Sequence, residues 1–503
     1  MPDTANKESN TKNTEITGDQ VQKVKSSSGS PMQGAPKRLF GRKIIYAAVK
    51  EITRENVVKV IEQAYITHLQ NRGDIEYLWN YYKGDQPILY RTKEVRPEIK
   101  NEVVENRAAE IVDFKVGYSY GEPIQYVAKT ANDELSTAID TLNDYMDMDC
   151  RSSVDMELAK WQMVCGTAYK LGLPSDEEGE DEAPFDIIVP DPRDAFVVYD
   201  NTVRHRSLAG VSYTTDPETQ AVVFGVYTNG TYYEISGGVI TNEKKLYIPG
   251  IPLIEYPLNA ERIGAFEIVI GMLDAINKVD SNRLDGVEQF IQSLAVAVNC
   301  QFKDGTTANQ IREAGMIVLK SVGENKADFK ILSEQLNQTE TQTLKEDMLA
   351  AVREICGMPS QGNAKTGDSS NNGAVILRNG WQAAEARAKS YETMFRKSEM
   401  AFLRIVLAYC DLPISRKDIQ IKFTRRQYED IYTKAQVLNL LLGNKLVHPK
   451  VAYTVSNMFS DVEDAYKMGI EWDKKQTKEQ DPKAGNGDDT TPKTDPASDG
   501  DDE

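Results

Sequence analysis

The sequence predicts an α+β protein in which an antiparallel sheet is followed by unusually long helices. Three observations predict it. Between residues 150 and 250, short runs rich in β-branched and aromatic residues are separated by turn pairs such as Asn229-Gly230 and Gly237-Gly238. From Glu261 to Asp411, apolar residues recur at steps of three and four over long stretches. Helices of that length with one apolar stripe are hard to bury inside one subunit, so they suit neighbouring copies packed side by side. An assembly part, closing as a ring, is therefore expected before an enzyme.

Composition sets the bounds. A chain of 503 residues makes about three structural units. The net charge of -18, from 77 acidic against 59 basic residues, argues against a protein that coats nucleic acid by charge attraction. It leaves open a wall that nucleic acid slides past. The five cysteines include no CxxC pair and are odd in number, so a reducing compartment is expected. The N-terminus has no apolar signal core, and no run approaches the ~18 apolar residues of a membrane span. A soluble chain made in the cytoplasm, with no membrane partner, follows. Residues 1–37 and the acidic residues 473–503 hold too few apolar groups to order themselves and are expected to be disordered tails.

Taken in order, residues 55–81 read as a helix with Val57, Val60, Ile61, Tyr65, His68 and Leu69 along one side. The pair Tyr81-Tyr82 leads into a turn at Gly84. Residues 101–118 form a second helix, stopped by Gly117, Gly121 and Pro123, and a strand starts at Ile124. Strands are expected at Gly166–Leu171, Phe185–Val189, Ala195–Tyr199, Gly210–Tyr213, Ala221–Tyr227, Tyr232–Ile235 and Lys245–Ile248. The acidic run Ser175–Glu182 is a solvated hairpin tip, because it lacks the ligand spacing of a calcium loop. A long helix over Glu261–Leu294, about 50 Å in length, carries Ile268, Met272, Ile276 and Val279 as packing residues. Strand-like runs follow at Val296–Phe302, Met316–Lys320 and Phe329–Leu332. The next helix presents Leu344, Met348, Val352 and Ile355 and stops at Gly357-Met358-Pro359. The loop Ser360–Gly373 has no large apolar residue, and a third long helix runs from Ala374 to Ala408.

No catalytic chemistry is expected. Gly362-Asn363-Ala364-Lys365-Thr366 separates its glycine from its lysine, so amides and ammonium do not converge on a phosphate as in a phosphate loop. His68, His205 and His448 lie in three separate segments without a nearby nucleophile or acid at a recognisable spacing. Cysteine and histidine are not spaced as metal ligands. The expectation is no catalytic residue, no cofactor and no metal.

Several strings, in this order, carry a family resemblance. They are Tyr81-Tyr82-Lys83-Gly84, Asn106 with Ile111-Val112-Asp113-Phe114-Lys115, and Tyr120-Gly121-Glu122-Pro123. Further on come Val197-Val198-Tyr199-Asp200-Asn201, Ile251-Pro252-Leu253-Ile254-Glu255-Tyr256, Ile276–Ser281 and Phe423-Thr424-Arg425-Arg426. Over about residues 75–470 the chain resembles the head portal (connector) proteins of tailed bacteriophages, those of siphophages of Gram-positive hosts. One departure is Leu258-Asn259-Ala260-Glu261, where such portals often carry a more lysine- and asparagine-rich stretch.

The resemblance implies a portal fold. Residues 38–257 form a β-rich wing, 258–294 stem helix 1, 295–335 a small β-containing clip and 336–357 stem helix 2. Residues 358–373 form a flexible tunnel loop, 374–428 the long helix and strand of the wing, and 429–472 a helical crown. It implies a dodecameric ring in the virion, at one capsid vertex. Partners would be the terminase large subunit, the head-completion adaptor and the major capsid and scaffold proteins. Double-stranded DNA would pass without sequence specificity during genome packaging and ejection. Asn363, Lys365, Ser369, Asn371 and Asn372 of the tunnel loop would face that DNA.

Helix geometry is compatible with such a ring. A dozen helices spaced ~8–10 Å apart give a circumference of ~110 Å and an axis-to-axis diameter of ~35 Å. Subtracting one helix diameter of ~10 Å leaves a lumen of ~25 Å, wide enough for duplex DNA. Two other classes stay open on the residues alone: a phage-encoded DNA-processing enzyme, and a monomeric or dimeric scaffold-type adaptor.

Overall fold

The computed structural model describes residues 39–480 apart from 95–96, 131, 149, 176–182, 292–293, 299, 302–319, 322–327, 333–337, 360–379, 426–430, 457 and 460–461. The first helix, α1 (Val57–Lys83), ends at Gly84, whose φ of 98° places it in the left-handed region that glycine adopts without strain. Helix α2 (Arg107–Tyr120) starts at Asn106, whose side chain accepts the Ala109 N–H. Helices α3 (Asp133–Met148) and α4 (Arg151–Cys165) follow.

A six-stranded sheet forms the first layer. Its order is β1 (Ile45–Ala47), β5 (Ala195–Asp200), β6 (Ser207–Thr215), β7 (Val222–Tyr227), β8 (Thr231–Ser236) and β9 (Val239–Lys245). All pairings are antiparallel except β1 with β5, where Ile45 pairs in parallel with Val198. Val57, Ile61 and Tyr65 of α1 bury against Phe196, Val211 and Val226 of the sheet. A second sheet runs β10 (Leu253–Pro257), β3 (Thr167–Pro174), β4 (Phe185–Ile188). Strand β2 (Gln125–Ala128) pairs with β15 (Ile419–Lys422). The main core lies where α1, α2, α4, β3 and β10 meet a long helix over Trp381–Val406, with Tyr81, Val112, Leu158, Tyr256, Phe395 and Phe402 buried together.

Four charges are buried at the centre of that core. Lys170 of β3 reaches Asp155 of α4 at 3.0 Å and Glu399 of the Trp381–Val406 helix at 3.2 Å. The Arg151 Nε donates to Asp155 at 3.3 Å, and its guanidinium lies 3.9 Å over the Tyr126 ring. The hydroxyls of Tyr126 and Tyr256 donate to Glu399 at 2.5 Å and 2.6 Å. Two cations and two carboxylates balance. Burial opposes charge on Lys170, yet Asp155 and Glu399 outweigh it and raise the lysine above its ordinary range. Burial likewise opposes charge on Glu399, and Lys170, Arg151 and the two tyrosines overcome it and lower that carboxyl.

His68 is structural. Its ring stacks on Phe196 at 4.6 Å, and Nε2 lies 2.9 Å from the Arg193 carbonyl oxygen. Burial pushes its pKa down to about 4. The folded state therefore resists a proton that the unfolded chain accepts at its ordinary 6.5. Stability is expected to be full above pH 6.5 and to fall by about 3 kcal/mol as pH drops to about 4. Unfolding free energies of wild type and His68→Gln across that range check this, and equal slopes would refute it.

The structure departs from the sequence expectations in several places. Strand β9 begins at Val239 rather than Lys245, because Gly237 and Gly238 both take positive φ and make a two-residue hairpin from Ser236 to Val239. Helices α3 and α4 were not foreseen, nor were β1 and β10. The long helix expected over Glu261–Leu294 starts only at Ile270, after a 3-10 turn at Glu267–Val269. Arg262 there takes a φ of 58°, which an α-helix excludes. The last helix runs to Gln480, past the tail boundary at Asp473.

Candidate functional site

Two helices, α5 (Ile270–Ile291) and α6 (Gln338–Cys356), form an antiparallel pair joined to the rest of the fold by polar contacts. Their start is fixed first. Gly41 and Gly264 give their N–H groups to the two oxygens of Glu267 at 2.9 Å and 2.8 Å. Arg42 reaches the same carboxylate at 2.7 Å and the Cys165 carbonyl at 3.1 Å. Beside it, the Arg262 guanidinium bonds both oxygens of Glu255 at 2.6 Å and 2.9 Å. These buried pairs hold the segment 260–267 against β10 and α4, so α5 leaves the core in a set direction.

One flank of α5 then grips an extended strap, residues 99–105. Asn277, Ser281 and Asp285 stand four residues apart and so share a helix face. They accept the N–H groups of Glu105 at 2.8 Å, Val103 at 3.0 Å and Asn101 at 2.8 Å. Alternate amides of the strap thus meet successive turns of the helix in antiparallel sense. Asp285 also takes Arg91 at 2.7 Å and Lys93 at 3.0 Å. Burial acts against its charge, but the Asn101 amide and the two cations prevail and hold Asp285 at about 2. The strap runs into Asn106, which accepts from Gln86 at 3.1 Å, and Asn277 donates to Gln86.

Helix α6 is fixed by its own set of ions. Lys345 lies 2.6 Å from Glu105 of the strap and 3.0 Å from Asp280 of α5. Arg283 of α5 donates to Gln342 at 2.9 Å. Arg353 meets Glu110 of α2 at 3.1 Å. At the end of α6, the buried Lys115 donates to the Cys356 carbonyl at 2.7 Å, where a cation satisfies an orphan helix carbonyl. Burial lowers Lys115 to about 8.

The expected packing residues divide. Ile276 and Val352 are buried in the main core, and Met272 and Met348 pack half-buried against it. Val279 is half-buried. Ile268, Leu344 and Ile355 are exposed on this chain, as are Leu284 and Val287 of α5. The loop residues Asn363, Lys365, Ser369, Asn371 and Asn372 lie outside the described residues. Among the described residues four strands stand between the two helices: β11 (Leu294–Val298) pairs with β14 (Asp328–Leu332), and β12 (Cys300–Gln301) with β13 (Lys320–Ser321). Sequence reasoning missed the stripe of Asn277, Ser281 and Asp285, because polar residues on a helix read as a solvated face. Their spacing of four was the available signal.

Among the described residues no three histidine, cysteine or carboxylate groups converge as metal ligands. Cavities against Arg42 and Glu255 and against Lys115 and Tyr391 measure about 10 Å³ each, the scale of one water. Among the described residues no helix is long and apolar enough to cross a membrane.

Residues 63–482 match the model of a family described as phage portal protein, SPP1 Gp6-like. Comparison with curated proteins gives no match. Two solved structures resemble the chain at 11% identity, each over 77% of this chain and 94% of its own. They are titled "Virion of native gene transfer agent (GTA) particle", with a TM-score of 0.40, and "Neck of empty GTA particle computed with C6 symmetry", with a TM-score of 0.38.

Proposed function

The chain belongs to the SPP1 Gp6-like phage portal protein family, and from that membership we propose that its copies close into a ring of about twelve at one capsid vertex. The observation that carries the reading is the reach of the family match, residues 63–482, nearly all of the described chain. The exposed apolar residues Leu284, Val287, Leu344 and Ile355 of the α5–α6 pair, with Ile268 in the turn before α5, support it, since a neighbouring copy would cover them.

In this reading α5 and α6 are the stem helices and the strands between them the clip, which meets the head-completion adaptor and the terminase large subunit. The loop of residues 358–373 lies nearest the axis, and Asn363, Lys365, Ser369, Asn371 and Asn372 make weak, sequence-blind contacts to passing duplex DNA. The acidic balance of -18 per chain keeps the duplex from sticking elsewhere. The ring performs no reaction of its own; a separate terminase ATPase drives the DNA, and the ring also nucleates head assembly with capsid and scaffold proteins.

Electron images and particle-by-particle masses of the purified full chain test this. The expected result is annular end views with an open axis and masses clustered near a dozen subunits. Single subunits at micromolar concentration, with no annular species, would overturn it.

A further inference from the structure

Five cations are buried among the described residues: Arg42, Arg151, Lys170, Arg262 and Lys115. Four of them sit on carboxylates. Arg42 meets Glu267, Arg151 and Lys170 meet Asp155, and Arg262 meets Glu255. That is the general rule, because a charge taken out of water is costly unless an opposite charge matches it.

Lys115 of α2 breaks the rule. It is 5% exposed, and its Nζ donates to the Cys356 carbonyl, which carries only a partial charge. The same Nζ lies 5.2 Å from the centre of the Tyr391 ring on α7, the helix over Trp381–Val406. The Cys356 thiol faces it from α6, but burial pushes that thiol up to about 11, so it is neutral near pH 7. Burial likewise raises the Tyr391 hydroxyl and keeps it neutral. The remaining charged group that bears on Lys115 is another cation, Arg387 of α7, which hydrogen-bonds Tyr391.

Between these groups lies the cavity of about 10 Å³. Lys115, Ser119, Arg387 and Tyr391 line it, and no carboxylate does among the described residues. Its wall therefore offers an ammonium, a guanidinium and hydroxyl donors, with two positive charges left unmatched. We propose that this cavity binds one small monatomic anion, chloride, between Lys115 and Arg387. The ion supplies the charge that Asp155, Glu255 and Glu267 supply to the other buried cations. It also bridges α2 and α7 at the point where Lys115 holds the end of α6. A polyatomic anion such as sulfate does not fit a space on the scale of one water. Arg387 is exposed, so its side chain forms the mouth through which the ion enters. The site is independent of the ring reading above.

Thermal unfolding of the full chain tests it. Sodium chloride replaces sodium gluconate at constant ionic strength, from about 5 to about 300 mM, and a ligand of the folded state raises the midpoint. The expected rise is about 2 °C with chloride or bromide, and none with sulfate. Arg387→Gln, a change at an exposed position, is expected to need roughly tenfold more chloride for the same rise. Lys115→Met is expected to show no rise. A midpoint indifferent to chloride, an equal rise with sulfate, or an equal rise in Lys115→Met would overturn the site. An Arg387→Gln titration identical to wild type would do so whether or not Lys115→Met folds. Bromide-soaked crystals give a second readout. An anomalous peak between Lys115 and Arg387 is expected there, and a water only, without anomalous signal, would refute the assignment.

Discussion

Glu399→Gln is expected to lower the unfolding free energy of the subunit by about 3–5 kcal/mol, the scale for breaking a buried ion pair from one side. The change keeps the shape of the side chain and removes its charge. Lys170 and Arg151 then face only Asp155, deep in a core that water does not reach. Tyr126 and Tyr256 also lose a charged acceptor for their hydroxyls. Lys170→Met combined with Glu399→Gln restores one cation against one carboxylate, so the double variant is expected to lose less than the sum of the two singles. The network also has a pH signature. The lowered Glu399 contributes stability that holds above its ordinary 4.5 and is lost as pH falls through its depressed value. The raised Lys170 contributes stability that holds below its ordinary 10.5 and is lost only at more alkaline pH. Denaturant unfolding of the variants checks the magnitude; a loss under 1 kcal/mol for Glu399→Gln would mean that water reaches these charges.

Asp285→Ala is expected to release the strap, at a cost of about 3 kcal/mol. One carboxylate accepts the Asn101 backbone N–H and side chain and balances Arg91 and Lys93. Its loss leaves two cations beside each other and frees the end of the strap. Asp285→Asn, which keeps an acceptor for the Asn101 amide but not the charge, is expected to cost less. Native-state hydrogen exchange localises the effect: the amides of Asn101, Val103 and Glu105 are expected to lose protection in Asp285→Ala, while the six-stranded sheet keeps its own. Unchanged exchange at those three amides would show that the helix stripe does not hold the strap.

Strands β5 to β8 of the larger sheet were legible because Val, Tyr and Ile runs lie between turn signals, and the pleated sheet needs that pattern. The apolar face of α1 was legible for the same kind of reason. Helix α3 was readable and passed over: Ala138, Ile139, Leu142 and Met146 stand at steps of three and four. Helix α4 was not readable by that test, since it buries Arg151, Asp155 and Gln162 along with its apolar residues and so blurs the period. Strand β1 is too short to signal, and β10 hides a buried Glu255 that is matched by Arg262 seven residues later. In the helix pair, hydrophobic spacing found Ile276 and Val352. It gave no sign of the ionic anchors, because Glu105 and Lys345 lie far apart in sequence and meet only in the fold.

The stripe on α5 has a consequence for chain length. Four helical residues advance about 6.0 Å, whereas two extended residues advance about 6.7 Å. The two repeats behave like the scales of a vernier. They coincide over three rungs, drift by about 1.4 Å across them, and would drift by about 2 Å at a fourth, beyond hydrogen-bond tolerance. A run of this kind is therefore self-limiting. The polypeptide has to leave the helix after Glu105, and at the next residue, Asn106, it caps a helix of its own.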